Sequence, residues 1–161
     1  MGIFESVSAE RLLTKERNGA LLAALRSELH QIRSILEKQQ EWFSRLRNEL
    51  GINAYSRITH IPFPRAIYDR HLATIYLDMG AEDLRLLHLV YSYLSIIDAT
   101  LANFDSIVTE SKSTYPDYQR YAGAQMRVDE LQRTGQKARD IILYYLTGTK
   151  LQFVHTETHL S

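Results

Sequence analysis

The chain has 161 residues, enough for one domain with a single hydrophobic core, and its 45% apolar and 24% charged content is ordinary for a globular protein. Nineteen Lys and Arg balance nineteen Asp and Glu, eight against seven in residues 1–50 and five against four in 116–146, so no basic stripe marks nucleic acid as a partner. The absence of Cys excludes disulfides, thiolate catalysis and Cys-ligated zinc, and agrees with a cytoplasmic location.

The start, "MGIFES", fits the short pattern for N-myristoylation at Gly2, and no basic stretch followed by an apolar run marks a secretory signal. Residues 9–50 then read as one helix about 60 Å long at 1.5 Å per residue. Leu22, Leu25, Leu29, Ile32, Leu36, Gln39, Phe43, Leu46 and Leu50 alternate in steps of three and four, a heptad seam with only Gln39 polar. Leu21, Ile35 and Trp42 lie beside it and widen the apolar face, which suits a bundle core better than an isolated coiled coil. The pattern leaves open whether that face packs within the chain or against another chain. Asn18 and Gly19 are weak helix formers at the entry, and Gly51 stands where a helix end favours glycine.

Pro62 and Pro64 disfavour helix before them, and Pro64 can open a second helix over 65–78. A third helix is predicted over 81–111, with Glu82 and Asp83 at its positive end. It carries Leu84, Leu87, Tyr91, Leu94, Leu101 and Val108, with Leu86, Val90, Ile97 and Phe104 alongside, and so reads as the central helix. Its apolar run "LRLLHLVYSYLSII" holds Arg85 and His88 and precedes Asp98, and reads as too short and too polar to span a membrane. A fourth helix is predicted over 116–146, using Tyr118, Tyr121, Val128, Leu131, Ile141, Ile142 and Tyr145, with Gly148 ending it. The tail, 147–161, shows no period. The expected fold is all-α, one domain over 1–161: a bundle of about four helices with a long N-terminal one.

Three stretches, "LLAALRSELHQIRSIL", "PFPRAIYD" and "LLHLVYSYLSII", make residues 20–105 resemble a group of small helical bacterial proteins. Those share a long Leu-rich helix, a Pro-Phe step followed by an aromatic residue, and a helix with a Leu-x3-Tyr-x2-Leu core. Many of them begin with a transmembrane helix and carry Asn near the position of His30, and this chain has neither. The resemblance implies an all-helical fold and no particular chemistry.

Arg65 and His71 are spaced as in helical ribonucleases, in which His would serve as acid or base and Arg would stabilise the phosphorane charge. Six helical residues leave the two side chains about 120° apart, and Ala66 replaces the polar residue usual after the Arg. The simpler reading pairs Arg65 with Asp69 at i+4 on a solvated face. No Glu-x-x-His pair provides a di-iron site, and His30, His60, His71 and His88 stand alone in sequence. His155 and His159 share the i,i+4 spacing of a metal clamp, in a stretch more readily solvated than helical. No acidic Glu-Glu-x-x-Glu cluster, Gly-rich phosphate loop or Gly-x-Ser-x-Gly elbow occurs, so no cofactor or metal is expected. Asp98 lies on the seven-residue line of Leu84, Tyr91 and Asp105, so it needs a partner, Tyr or Arg, as a buried structural polar group. The ten Tyr suit either an interface or an amphipathic core edge. The expected role is a non-enzymatic helical scaffold or protein-interaction protein that self-associates. The alternative is an RNA-acting nuclease or toxin-like protein using Arg65 and His71.

Overall fold

A computed structural model describes residues 2–75 and 79–148 of the chain. Among these residues the fold is all-α, with five helices and no strand. Helix α1 spans Gly2–Gly51, α2 Ala66–Ile75, α3 Ala81–Ala102, α4 Phe104–Thr114 and α5 Ala122–Thr147. Residues 76–78 of the expected second helix and the tail from 149 onward, with His155 and His159, lie outside the described residues.

The seam of α1 forms the core. Leu25, Leu29, Ile32, Leu36, Phe43, Leu46 and Leu50 are all at most 1% exposed. Helix α5 runs antiparallel along it: Arg47 pairs with Asp129 at 2.8 Å, Gln40 Nε2 donates to the Gln132 carbonyl, and Arg26 Nη2 donates to the Leu146 carbonyl. Small residues of α5, namely Ala124, Gly135 and Ala138, are buried and let the two helices approach closely. At Gly135 a Cβ would lie 2.9 Å from Gln40 Nε2, the far end of a flexible side chain, so alanine there would displace that amide from the Gln132 carbonyl. Helix α3 is the central helix, burying Leu86, Leu87, Val90, Tyr91, Leu94, Ile97 and Leu101. At 22 residues, and with a mean hydropathy of 1.2 in its most apolar window, α3 matches a membrane span by length and composition alone, as a core helix also can, and seven of its residues are buried in the bundle.

Four boundaries differ from expectation, each for a local reason. Helix α1 starts at Gly2 and continues through Asn18 and Gly19, because one glycine costs a helix only about 1 kcal/mol. Its end reverses at Asn53, in the left-handed region at φ 57°, while Gly51 is still helical. Asn tolerates that conformation, and the Ala54 N–H bonds the Glu49 carbonyl across the turn. The expected third helix is broken at Asn103, whose Nδ2 donates to the Ala99 carbonyl and whose backbone leaves helical geometry at φ −108°, ψ 15°. After Pro116 the chain forms one 3-10 turn, Asp117–Gln119, before α5 begins at Ala122. Tyr118 on that turn is 84% exposed, not a core residue, whereas Tyr121, Val128, Leu131, Ile141 and Ile142 are buried as expected. Gly148 ends α5 at φ 69° with its N–H on the Tyr144 carbonyl.

Candidate functional site: a polar clamp on α3 and α4

Positions 91, 98 and 105 recur every seven residues, so they stay on one side of the α3–α4 rod although the helix is broken at Asn103. The connection 52–65 and the first turn of α2 run across that side. It is held there by hydrogen bonds in place of secondary structure.

At the lower end, the Tyr55 hydroxyl donates to Asp105 Oδ1 and Arg57 Nε lies 3.0 Å from Asp105 Oδ2. One helical interval on, Asp98 Oδ1 lies 2.6 Å from His60 Nε2, and both carboxylate oxygens accept from the Phe63 N–H at 3.3 Å. The His60 side chain is 9% exposed and its ring meets Phe63 edge-on. Asp98 therefore has a partner, a histidine and a backbone amide rather than the Tyr or Arg expected, and its side chain is 18% exposed.

At the upper end stands Glu28 of α1, 5% exposed inside the core. Its Oε1 accepts from the Ile67 N–H at 2.9 Å, and its Oε2 from the Tyr68 N–H at 3.2 Å and the Tyr91 hydroxyl at 2.5 Å. Ile67 and Tyr68 are in the first turn of α2, where helical N–H groups have no partner within the helix. Glu28 thus caps α2 from a different helix, and a carboxylate is favoured at that positive end. The Tyr68 and Tyr91 rings stack at 3.7 Å, and the Tyr68 hydroxyl lies 2.5 Å from His88 Nδ1. Burial, first of all, raises the pKa of Tyr91, with the hydrogen bond to Glu28 adding to it. Burial also raises Tyr68, and raises Tyr55 with help from Asp105.

Arg65 belongs to this clamp. Its Nε donates to Asp69 at 2.8 Å, the i+4 pairing read from the sequence, its Nη1 donates to Ser95 Oγ at 2.7 Å, and its guanidinium lies 6.0 Å from the Tyr91 ring centroid. The Asp69 hydrogen bond raises the Arg65 pKa further above its usual value. His71 is half-buried on α2 and takes no part in these contacts. Two histidines that stand alone in sequence, His60 and His88, are each brought against a partner. Among the described residues no group of three His, Asp or Glu is placed to hold a metal ion.

Sequence reasoning missed Glu28, along with Tyr55, Arg57, Tyr68 and Ser95. Glu28 is the acidic neighbour of Leu29 beside the apolar seam, between Leu25 and Ile32, and that position was the available signal. The three stretches that carry the resemblance to helical bacterial proteins meet at this point: Glu28 from the first, Tyr68 from the second and Tyr91 from the third.

Fold and site together define an all-α bundle whose buried polar side chains hold the chain to itself. No protein-family model matches the chain, and no curated protein or solved structure matches it.

Proposed function

We propose that this protein is a non-enzymatic helical scaffold that self-associates or engages a protein partner through the N-terminal part of α1. The observation that carries this reading is the length of α1. Arg26 meets the Leu146 carbonyl, and α5 ends at Thr147, so the α1 residues before about position 24 run on past the end of α5. Positions 7–13 and 15–17 are all exposed, with Val7 at 41%, Leu12 at 61% and Leu13 at 65%. An exposed helix of this length with apolar side chains gains stability from a partner, since helices in proteins draw most of their stability from packing.

The alternative, a nuclease built on Arg65 and His71, draws no support from the contacts of Arg65, which serve the clamp. Light scattering coupled to size exclusion tests the proposal. The expected result at micromolar concentration is a mass roughly twice the 18.7 kDa of one chain. A monomer across that range would refute self-association.

A further inference from the structure

We infer that Asn18 is a site of spontaneous deamidation, and that the reaction cuts the helical arm 2–17 off from the rest of α1. The inference stands apart from the self-association reading, because it concerns a covalent change within one chain.

The chemistry starts from a dipeptide. Of Asn18, Asn48, Asn53 and Asn103, only Asn18 is followed by glycine. The nucleophile is the backbone nitrogen of Gly19. It gives its proton to water or hydroxide and attacks Asn18 Cγ. The new C–N bond closes a five-membered succinimide, the Cγ–Nδ2 bond breaks, and Nδ2 leaves as ammonia with a proton from solvent. Water then opens the ring. Opening at Cγ gives aspartate, and opening at the main-chain carbonyl gives isoaspartate, in which the chain runs through the former side chain. Water is consumed and ammonia released, and no other reactant is needed. Glycine suits the attacking position because it has no Cβ to obstruct the ring and turns freely about φ.

Three features of the structure favour the reaction at this position. First, the site is open. A Cβ on Gly19 would meet nothing within 4 Å, and Gly19 and Ala20 are exposed. Second, Asn18 Oδ1 has no hydrogen-bond partner among the described residues. Asn103, by contrast, is tied through Nδ2 to the Ala99 carbonyl and is followed by the buried Phe104. Third, Arg11 and Lys15 line the same groove as Asn18 and Gly19, against Glu10. The excess positive charge favours the deprotonated Gly19 amide.

The helix holds the reaction back. In α1 the Gly19 N–H is directed at the carbonyl four residues before it and cannot reach Asn18 Cγ. The arm must first open through Gly19. Positions 7–13, 15–17, 19 and 20 are exposed, so opening gives up helical hydrogen bonds and little packing. Propagation favours each helical residue by a factor of about 1.2, so about eighteen residues hold the arm closed about thirtyfold. If the whole bundle had to unfold, the factor would be about 10³ or more. Isoaspartate adds a methylene to the main chain, so helical hydrogen bonding cannot continue across position 18. The seam from Leu25 onward is buried in the bundle and keeps its own packing.

The test incubates the full chain beside a synthetic peptide of residues 14–24, which is too short for a stable helix, in the same neutral buffer. Dilute solution keeps association out of the measurement. Peptide mapping by mass spectrometry follows aspartate and isoaspartate at position 18. The chain should react about thirtyfold more slowly than the peptide and give both products, while Asn48 and Asn103 stay intact. In Gly19→Ala, measured against the peptide with the same substitution, this protection should rise about two- to fivefold, because alanine makes the arm costlier to open. The deamidated chain should lose the far-UV helix signal of the arm and keep the urea midpoint of the core. Protection beyond about a hundredfold would mean that the arm does not open by itself, and would overturn the inference. Aspartate without isoaspartate, protection unchanged in Gly19→Ala, or a helix signal that survives deamidation would each overturn it as well.

Discussion

Replacing Glu28 by Ala should damage the fold more than truncating most aliphatic side chains. The wild-type carboxylate serves three donors, the N–H groups of Ile67 and Tyr68 and the Tyr91 hydroxyl. Alanine strands all three. An unpaired buried donor costs about 1–3 kcal/mol. Tyr68 and Tyr91 are buried, and their donors lose the most. Ile67 is half-buried, so water can rehydrate its N–H in part. The sum is a loss of about 3–5 kcal/mol, a large share of a typical domain stability of about 5–15 kcal/mol. Glu28→Gln keeps one acceptor oxygen but turns an NH₂ group toward donors, and should lose about 2 kcal/mol. Urea unfolding gives the totals. Hydrogen exchange gives the location: in Glu28→Ala the amides of Ile67 and Tyr68 should lose protection before the core of α3 does, because a ten-residue helix is marginal without its cap. A Glu28→Ala loss below about 1 kcal/mol with α2 still protected would show that the cap is incidental, and the clamp as drawn would fall.

Three further outcomes follow from the same contacts. The pKa of Tyr91 is raised in the folded chain, and that of an unfolded tyrosine is near 10, so between the two the unfolded state has lost a proton that the folded state keeps. The stabilisation is therefore complete below pH 10 and falls above it, at about 1.4 kcal/mol per pH unit for this residue; unfolding curves at pH 9–11.5 should show the fall, and Tyr91→Phe should reduce its slope. Gly19 has nothing within 4 Å of its would-be Cβ, whereas Gly135 faces Gln40 at 2.9 Å. Gly19→Ala should raise stability by about 0.5–1 kcal/mol, and Gly135→Ala should fall short of that gain by about 1 kcal/mol, the hydrogen bond from Gln40 to the Gln132 carbonyl that the new methyl displaces; equal gains at both would mean that this bond contributes nothing to stability. Finally, the purified protein should leave single-stranded RNA intact on a gel, and cleavage lost in both Arg65→Ala and His71→Ala would restore the nuclease reading.

The parts of the fold legible in the sequence were those set by periodicity. The seam from Leu25 to Leu50 and the apolar circumference of α3 needed nothing beyond steps of three and four. The break at Asn103 depends on one side-chain amide competing for the Ala99 carbonyl, a local choice that hydropathy does not register. The clamp was half visible. Tyr91, Asp98 and Asp105 lie on one line in the sequence, and a polar line on an apolar helix must meet polar groups. What meets it comes from a connection without periodicity, Tyr55, His60 and the Phe63 N–H, so no spacing could name those partners. Glu28 was harder still, because an acidic residue beside a seam is usually solvated, and its donors arrive from 39 residues away on α2 and 63 residues away on α3.

The two ends of α1 then differ for a physical reason. From Leu25 onward its stripe is apolar but for Gln39 and is covered by its own chain; before Leu22 it carries Asn18, Lys15 and Arg11, which a dry core would not accept unpaired. Polar seam positions cost stability in a helix pair but select its register and partner number. Starting a helix is the expensive step, and here the folded body supplies the nucleus, so the segment from Gly2 to Asn18 needs only to propagate. Its residues are therefore helical while still exposed. A second copy that binds only the helical form would stabilise that form by mass action, so helix content in this segment and dimer population should rise together with concentration. Under the self-association proposed above, association and helicity at this end of the molecule would be one equilibrium, separate from the folding of the bundle, and a substitution at Val7 should shift it without lowering the stability of the core around Leu29 and Leu36.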